Sequence, residues 1–213
     1  MKKKHNIGSP PGTLNYTGIH GGERICITLI RYNENEFFEQ DFYDLSECMV
    51  HVKEGMVNWI NVDGIHNLNL IEKIGKLFNI HPLSLEDVVD VEQRPKFEEH
   101  DNYLLSILKM TIVKEVILQE HLSLLLLNNT VISFQEPNGG DAFDMIRLRL
   151  KQAKGRVRQR GADYLYYALM DSVVDWYFQV VDHIGERVDQ IETQLLKDGS
   201  ESRSSILQLY RLR

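Results

Sequence analysis

Apolar and polar residues alternate along much of the first two thirds of the chain, a pattern that predicts short β-strands. The predicted strands span residues 24–30, 37–43, 58–62, 103–113, 117–127 and 130–135. Asn128-Asn129 separates the last two strands and tolerates left-handed backbone, so a tight hairpin turn is expected there.

The apolar period changes from strand to helix between these runs. Leucine, isoleucine and phenylalanine recur at helical spacing over residues 67–79. Pro82 then suits the first turn of a second helix, which we expect to end before Arg94-Pro95. A third helix, basic on one face, is predicted over residues 141–158. Strands mixed with helices favour an α/β layered domain over residues 21–160.

Residues 161–213 have a different pattern, that of a long helix and the start of another. Apolar residues recur with gaps of four and three at Met170, Val174, Tyr177, Val181, Ile184, Val188, Ile191 and Leu195. Such a heptad stripe on a helix about 50 Å long must partly pack on another helix, in this chain or a neighbour. The next helical pattern, residues 202–213, stops at Arg213 without a cap, which suggests a fragment.

Residues 1–20, rich in Gly, Pro, Lys and Asn, are expected to form an extended arm.

Composition narrows the classes of function. The chain has 213 residues and a net charge of −7, which disfavours nucleic acid as its partner. We therefore interpret the basic run at 147–160 as a solvated or ion-paired face. No run of about 20 apolar residues occurs, so the chain as written is expected to be soluble.

The acidic pair Glu86-Asp87 lies in an apolar frame early in the helix that Pro82 begins. Two interpretations stay open. The helix dipole favours carboxylates in a first turn, and carboxylate oxygens also suit hard cations such as Mg²⁺. Asp171 is a second candidate, because it directly follows Met170 of the heptad stripe and can face another chain there.

Evidence for an enzyme is weak. His100-Asp101 is the dipeptide of metal-dependent phosphohydrolases, but those sites need further His and Asp residues on neighbouring helices. Gly75-Lys76 lacks the upstream glycine of a phosphate-binding loop. We therefore expect no enzymatic activity.

Several motifs in order give the chain a resemblance to the CorA family of magnesium/cobalt channels. They are Pro10-Pro11-Gly12, His81-Pro82-Leu83, Leu85-Glu86-Asp87, Gln93-Arg94-Pro95-Lys96, Leu108-Lys109-Met110 and Asp163-Tyr164-Leu165. The resemblance implies a three-layer α/β/α cytoplasmic domain with a mixed sheet, followed by long C-terminal helices. It also implies membrane helices and a pore beyond the part of the family that this chain matches.

The same resemblance implies a function and a site. Family members form homopentamers in the cell inner membrane, and Mg²⁺ or Co²⁺ bound between cytoplasmic domains regulates the pore. The matching residues here are Asp87, Glu86 and Asp171. A domain of a related zinc transporter and, less favoured, a soluble phosphohydrolase remain the alternatives.

Overall fold

A seven-stranded mixed sheet forms the middle layer of the protein. The computed structural model describes residues 8, 10–19, 21–113, 117–137 and 142–198. The strands are β1 (Cys26–Tyr32), β2 (Phe37–Phe42), β3 (Val57–Asp63), β4 (Lys96–Glu99), β5 (Leu104–Val113), β6 (Ile117–Leu126) and β7 (Thr130–Gln135). Their order is β2-β1-β3-β7-β6-β5-β4, and among these neighbours the pair β3–β7 is parallel while the others are antiparallel.

Helices cover both faces of the sheet. They are α1 (Leu45–His51), α2 (Leu68–Phe78), α3 (Pro82–Val89), α4 (Asp144–Lys151) and α5 (Ala162–Asp198), with a short 3-10 helix at Val157–Gln159. Apolar residues of α1, α2 and α3 share one buried core, and those of α4 and α5 share the other. The three-layer α/β/α fold with a mixed sheet is confirmed.

Successive side chains of a strand point to opposite faces of the sheet and so enter different cores. On β5, Leu105 and Ile107 face the core beneath α3, whereas Met110 faces the core beneath α5. The predicted hairpin at Asn128-Asn129 joins β6 to β7, closed by a hydrogen bond from Leu127 N to Thr130 O at 2.8 Å.

The sequence pattern does not predict two short elements, α1 and β4. Helix α1 has seven residues, too few for a clear helical period, and begins where the Asp44 carboxylate accepts hydrogen bonds from the Ser46 and Glu47 N–H groups. Strand β4 has four residues and follows directly on Pro95, and it is too short for a clear strand period. It pairs antiparallel with β5 and becomes an edge of the sheet.

The prediction of a single basic helix over residues 141–158 is wrong. Helix α4 ends at Lys151, and the backbone then adopts left-handed conformations at Ala153 (φ 51°) and Gly155 (φ 70°). The Arg158 guanidinium folds back and donates to the carbonyl oxygens of Leu150 and Lys151, which satisfies groups at the helix end.

The long C-terminal helix is confirmed, but its buried face coincides with the predicted stripe only in part: Ile191 is buried, and Met170 and Tyr177 pack against the core. Leu165, Leu169 and Val173 of α5 are fully buried against the sheet. In contrast, Val174 and Val181 are 46% and 64% exposed. The predicted helix over 202–213 lies outside the described residues. Among the helices that the structure describes, none is long and apolar enough to cross a membrane.

Candidate functional site

Helix α3 carries the acidic pair and is held firmly at its start. The His81 ring nitrogen Nδ1 accepts a hydrogen bond from Leu83 N at 3.2 Å, and Pro82 occupies the first helical position, where its missing N–H leaves no group unsatisfied. Leu85, Val88 and Val89 bury the inner side of the helix. These contacts leave Glu86 and Asp87 on the partly exposed side.

The expectation that Glu86 and Asp87 lie early in this helix is wrong. Helix α3 ends at Val89, with Asp90 as its C-cap, so the pair occupies its second half. The helix dipole does not favour carboxylates there. Other groups must therefore compensate their charge.

Asp87 is compensated by side chains that lie just beyond the helix. The Lys96 ammonium donates to Asp87 Oδ2 at 2.6 Å, and the Gln93 amide donates to Oδ1. The Asp87 side chain is only 14% exposed, so this ion pair is screened weakly by solvent. Lys96 begins β4, which places its side chain directly beside α3.

The same ammonium also contacts Glu98, two residues along β4, at 2.8 Å. Partial burial lowers the pKa of Lys96, but the hydrogen bonds to Asp87 and Glu98 outweigh burial and hold that pKa above its ordinary value. The hydrogen bond from Lys96 also lowers the pKa of Glu98. Two carboxylates thus share one cation.

Glu86 is compensated differently, by the N-terminal arm. Its Oε2 accepts a hydrogen bond from Gly12 N at 2.7 Å. Further along the arm, the Thr17 hydroxyl donates to Asp90 Oδ1 at 2.7 Å and accepts from Val91 N. The arm therefore contacts α3 at Glu86 and also the residues just beyond the end of this helix.

An open cleft of about 730 Å³ lies between α3 and β4. Its lining includes Asp87, Lys96 and Glu98, together with His81 and His100. The two imidazole rings are stacked with 6.5 Å between their centroids. Acidic oxygens and imidazole nitrogens thus share one cleft.

The cleft does not have the geometry of a nucleophilic catalytic site. Ser84 Oγ and Glu98 Oε2 approach the same ring nitrogen of His100, Nε2, at 3.3 and 3.4 Å. A proton relay needs the two partners on different ring nitrogens. His100 and the exposed Asp101 border the turn that joins β4 to β5, so their place in the fold differs from the helical setting that the phosphohydrolase alternative requires.

Asp171 lies far from this cleft in the fold. It belongs to α5, which covers the opposite face of the sheet from α3. Its side chain is exposed, and the apolar residues one turn before and after it, Tyr167 and Val174, are 59% and 46% exposed. The structure therefore does not bring Asp171 to Asp87 within one chain.

Asp87 and Glu98 fit a hard divalent cation in part. Their oxygens already converge on one positive charge, and Mg²⁺ in proteins often binds only one or two carboxylates while keeping several waters. In the residues described, no group of three or more His, Cys, Asp or Glu side chains is arranged to hold a metal ion. A complete ligand set thus requires water or another chain.

Sequence reasoning missed Lys96 and Glu98 as parts of this site. Both residues lie in a segment for which the sequence pattern predicts no strand. The available signal was the polar alternation Lys96, Glu98, His100, which places the three side chains on one face of a strand.

Proteins of known structure share this fold. The fold matches the soluble domain of CorA from Methanocaldococcus jannaschii with a TM-score of 0.61 and 17% identity, over 85% of this chain and 69% of that one. It matches the complete CorA magnesium transporter of the same organism with a TM-score of 0.61 and 18% identity, over 85% of this chain and 55% of that one. At these identities the matches show a shared fold.

Sequence comparison then identifies the family. The sequence model described as "CorA-like Mg2+ transporter protein" matches residues 54–213. The cobalt/magnesium transport protein CorA of Thermotoga maritima is 39% identical over 193 residues, which are 89% of this chain and 54% of that protein. The chain belongs to the CorA-like Mg²⁺ transporter family, and it spans about half the length of this relative.

Proposed function

We propose that this chain is the cytoplasmic, divalent-cation-sensing domain of a CorA-type magnesium/cobalt channel in the cell inner membrane. In this proposal Mg²⁺ or Co²⁺ binds at Asp87, with Glu86 beside it, and bridges to Asp171 of a neighbouring copy in a homopentamer. The bridged arrangement favours the closed pore.

One observation carries the proposal: Asp87 is a mostly buried carboxylate that already holds a positive charge at 2.6 Å. Asp171 adds an exposed carboxylate, flanked by exposed apolar residues, on the opposite face of the sheet. Because the two groups lie on opposite faces of one chain, a cation that binds both must join two copies.

The mechanism follows from charge. With a divalent cation bound, carboxylates of neighbouring copies attract one ion and hold the domains together. When the cation concentration falls, the same carboxylates repel one another and the interface loosens. The cation regulates the pore only by as much as it binds the closed arrangement more tightly than the open one.

The test measures Mg²⁺-dependent association of the chain by analytical ultracentrifugation. Mg²⁺ should increase the mean mass of the wild-type chain, and EDTA should reverse the change. Asp87→Asn and Asp171→Asn should each abolish the response, because each removes one of the two charged contacts with the shared cation. Asp182→Asn is the matched control, since it removes an exposed carboxylate further along α5.

Two outcomes decide the assignment. Association that responds to Mg²⁺ equally in Asp87→Asn, Asp171→Asn and wild type would rule out these residues as the site. The same two substitutions in a longer protein that carries the pore should abolish regulation of ion flux by internal Mg²⁺, while Asp182→Asn should preserve it.

The zinc-transporter alternative has one observation in its favour. His81 and His100 line the cleft beside Asp87, and imidazole nitrogen suits Zn²⁺ and Co²⁺ better than Mg²⁺. Parallel titrations of the chain with Zn²⁺ and with Mg²⁺ distinguish the zinc-transporter alternative from the magnesium/cobalt proposal. If His100→Gln weakens Zn²⁺ binding and leaves Mg²⁺ binding unchanged, the cleft accepts both kinds of ion through different ligands.

A further inference from the structure

Lys96 occupies the position that a cation at Asp87 needs. Its ammonium lies 2.6 Å from Asp87 Oδ2, and the amide of Gln93 donates to the other oxygen, Oδ1. Both oxygens of Asp87 are therefore engaged by a single segment, residues 93–96. A divalent cation cannot coordinate Asp87 Oδ2 at full strength while the ammonium stays there, because both positive charges would compete for one oxygen.

Glu98 gives the ammonium a second position. It lies 2.8 Å from Lys96 Nζ and is 36% exposed, whereas Asp87 is 14% exposed. A lysine ammonium is a compact charge on a flexible stem with three donors, so it can keep one carboxylate partner after losing the other. Release of Asp87 therefore does not leave Lys96 buried without a partner.

We propose that Lys96 is an intramolecular competitor of the divalent cation: it holds Asp87 when no cation is bound, moves to Glu98 alone when one binds, and so sets the concentration at which the site fills. This inference rests on the proposed function of Asp87. Lys96 is a positioning residue in this scheme, because it acts on the cation through Asp87. Competition by Lys96 lowers the affinity of the site for the cation, so the site fills at a higher cation concentration and releases the ion more readily.

The first experiment is a calorimetric titration of the 213-residue chain with Mg²⁺. Lys96→Met keeps most of the stem and removes the charge, and should lower the apparent Kd for Mg²⁺ about tenfold. Lys96→Arg keeps the charge and should retain a Kd within about twofold of wild type. Lys76→Met is the matched control, because it removes the charge of an exposed lysine on α2 and changes net charge equally.

The second experiment follows the chemical reactivity of Lys96 itself. Acylation by a small amine-reactive reagent, quantified by mass spectrometry, should be slow without Mg²⁺ because the ammonium is held by two carboxylates. The rate of acylation of Lys96 should rise as Mg²⁺ is added, and the midpoint of this rise should match the midpoint of the Mg²⁺ binding curve. The rate of acylation of Lys76 should not change. A lysine that only clamps β4 to α3 would show no response to Mg²⁺.

The outcomes separate this inference from the proposed function. If Asp87→Asn abolishes Mg²⁺ binding but Lys96→Met leaves the affinity unchanged or weaker, the competitor role is overturned and the site stands. If the wild-type chain shows no Mg²⁺ binding that depends on Asp87, both are overturned. A thermal melt of each variant checks that Lys96→Met is folded. Should it unfold, Lys96→Gln and the acylation experiment on the wild type still decide the question.

Discussion

At the scale of single residues, the buried His121 makes the stability of the fold depend on pH. It lies on β6 with 1% of its surface exposed. Its Nε2 lies 3.1 Å from Ser123 Oγ. Burial and, to a smaller extent, the Lys109 ammonium lower the pKa of His121 to about 4, against the opposing effect of the Asp90 carboxylate and of the backbone at Asp87 and Val88.

We therefore predict that the domain loses stability as pH falls from about 6.5 to about 4. In that range the unfolded chain binds a proton at His121 that the folded chain does not, so the free energy of unfolding falls by up to about 1.4 kcal/mol per pH unit. His121→Gln should flatten this part of the profile in urea titrations at several pH values. His183→Gln, which removes an exposed imidazole on α5, is the control. An unchanged slope in His121→Gln would contradict the prediction.

A second residue-scale prediction concerns the hydrogen bonds between β3 and β7. Trp59 Nε1 donates to Ser133 Oγ at 2.9 Å, and Ser133 Oγ donates to Asn61 Oδ1 at 2.5 Å. Because Ser133 is fully buried, Ser133→Ala leaves both partners unsatisfied and should cost about 1–3 kcal/mol of unfolding free energy. In a Trp59→Phe background the cost should shrink, since the donor is gone. Equal costs in both backgrounds would refute the coupling.

Single residues also show what could be predicted from the chain alone. Asp87 and Asp171 are predicted as candidate ligands because charged residues beside apolar ones are visible in the sequence. Lys96 is not predicted, because its role depends on a strand of four residues whose position is set by pairing with β5. Pairing between segments separated along the chain leaves little local signal.

At the scale of elements, the contact between α2 and α3 sets the position of the acidic pair. A Cβ at Gly75 would lie 2.2 Å from Leu85 Cδ1 and 3.2 Å from Leu85 Cγ. Rotation about χ2 of Leu85 moves Cδ1 but leaves Cγ in place, so a larger residue at Gly75 requires either a change of χ1 at the buried Leu85 or a shift of α3. The absence of a side chain at Gly75 is thus a requirement for this packing.

Gly75→Ala should therefore destabilise the domain by about 1–3 kcal/mol, although alanine favours a helix over glycine. Gly185→Ala on α5 is the matched control, because nothing lies within 4 Å of its added Cβ. That variant should gain about 0.5–1 kcal/mol. Thermal melts of the two variants should move in opposite directions, and a rise in both would contradict the proposed contact.

Element lengths were harder to predict than element types. Helices α2 and α5 are of the predicted type, since each buries apolar residues on one side. Helix α3 stops at Val89, earlier than expected, where Asp90 caps it and the Thr17 hydroxyl bonds to Asp90 and Val91 N. That end depends on the arm, which lies more than 70 residues away along the chain.

At the scale of the whole molecule, the sheet separates the two halves of the proposed cation site. We predict that Mg²⁺ raises the melting temperature of the wild-type chain by a few degrees and that the rise grows with protein concentration, because each ion is shared between two copies. Scanning calorimetry at two protein concentrations, with EDTA as the reference, measures the effect. Asp171→Asn should abolish the rise, and a rise independent of concentration would indicate binding within one copy.

The order of strand and helix patterns, and with it the α/β class, follows from the chain because burial of an apolar face imposes a local period on each element. The family motifs and the acidic candidates are local for the same reason. The three-dimensional arrangement alone places Lys96 on Asp87 and separates Asp87 from Asp171 by a whole sheet. Those relations arise from long-range strand pairing and from packing on two faces, whose energies are shared among residues far apart in the sequence.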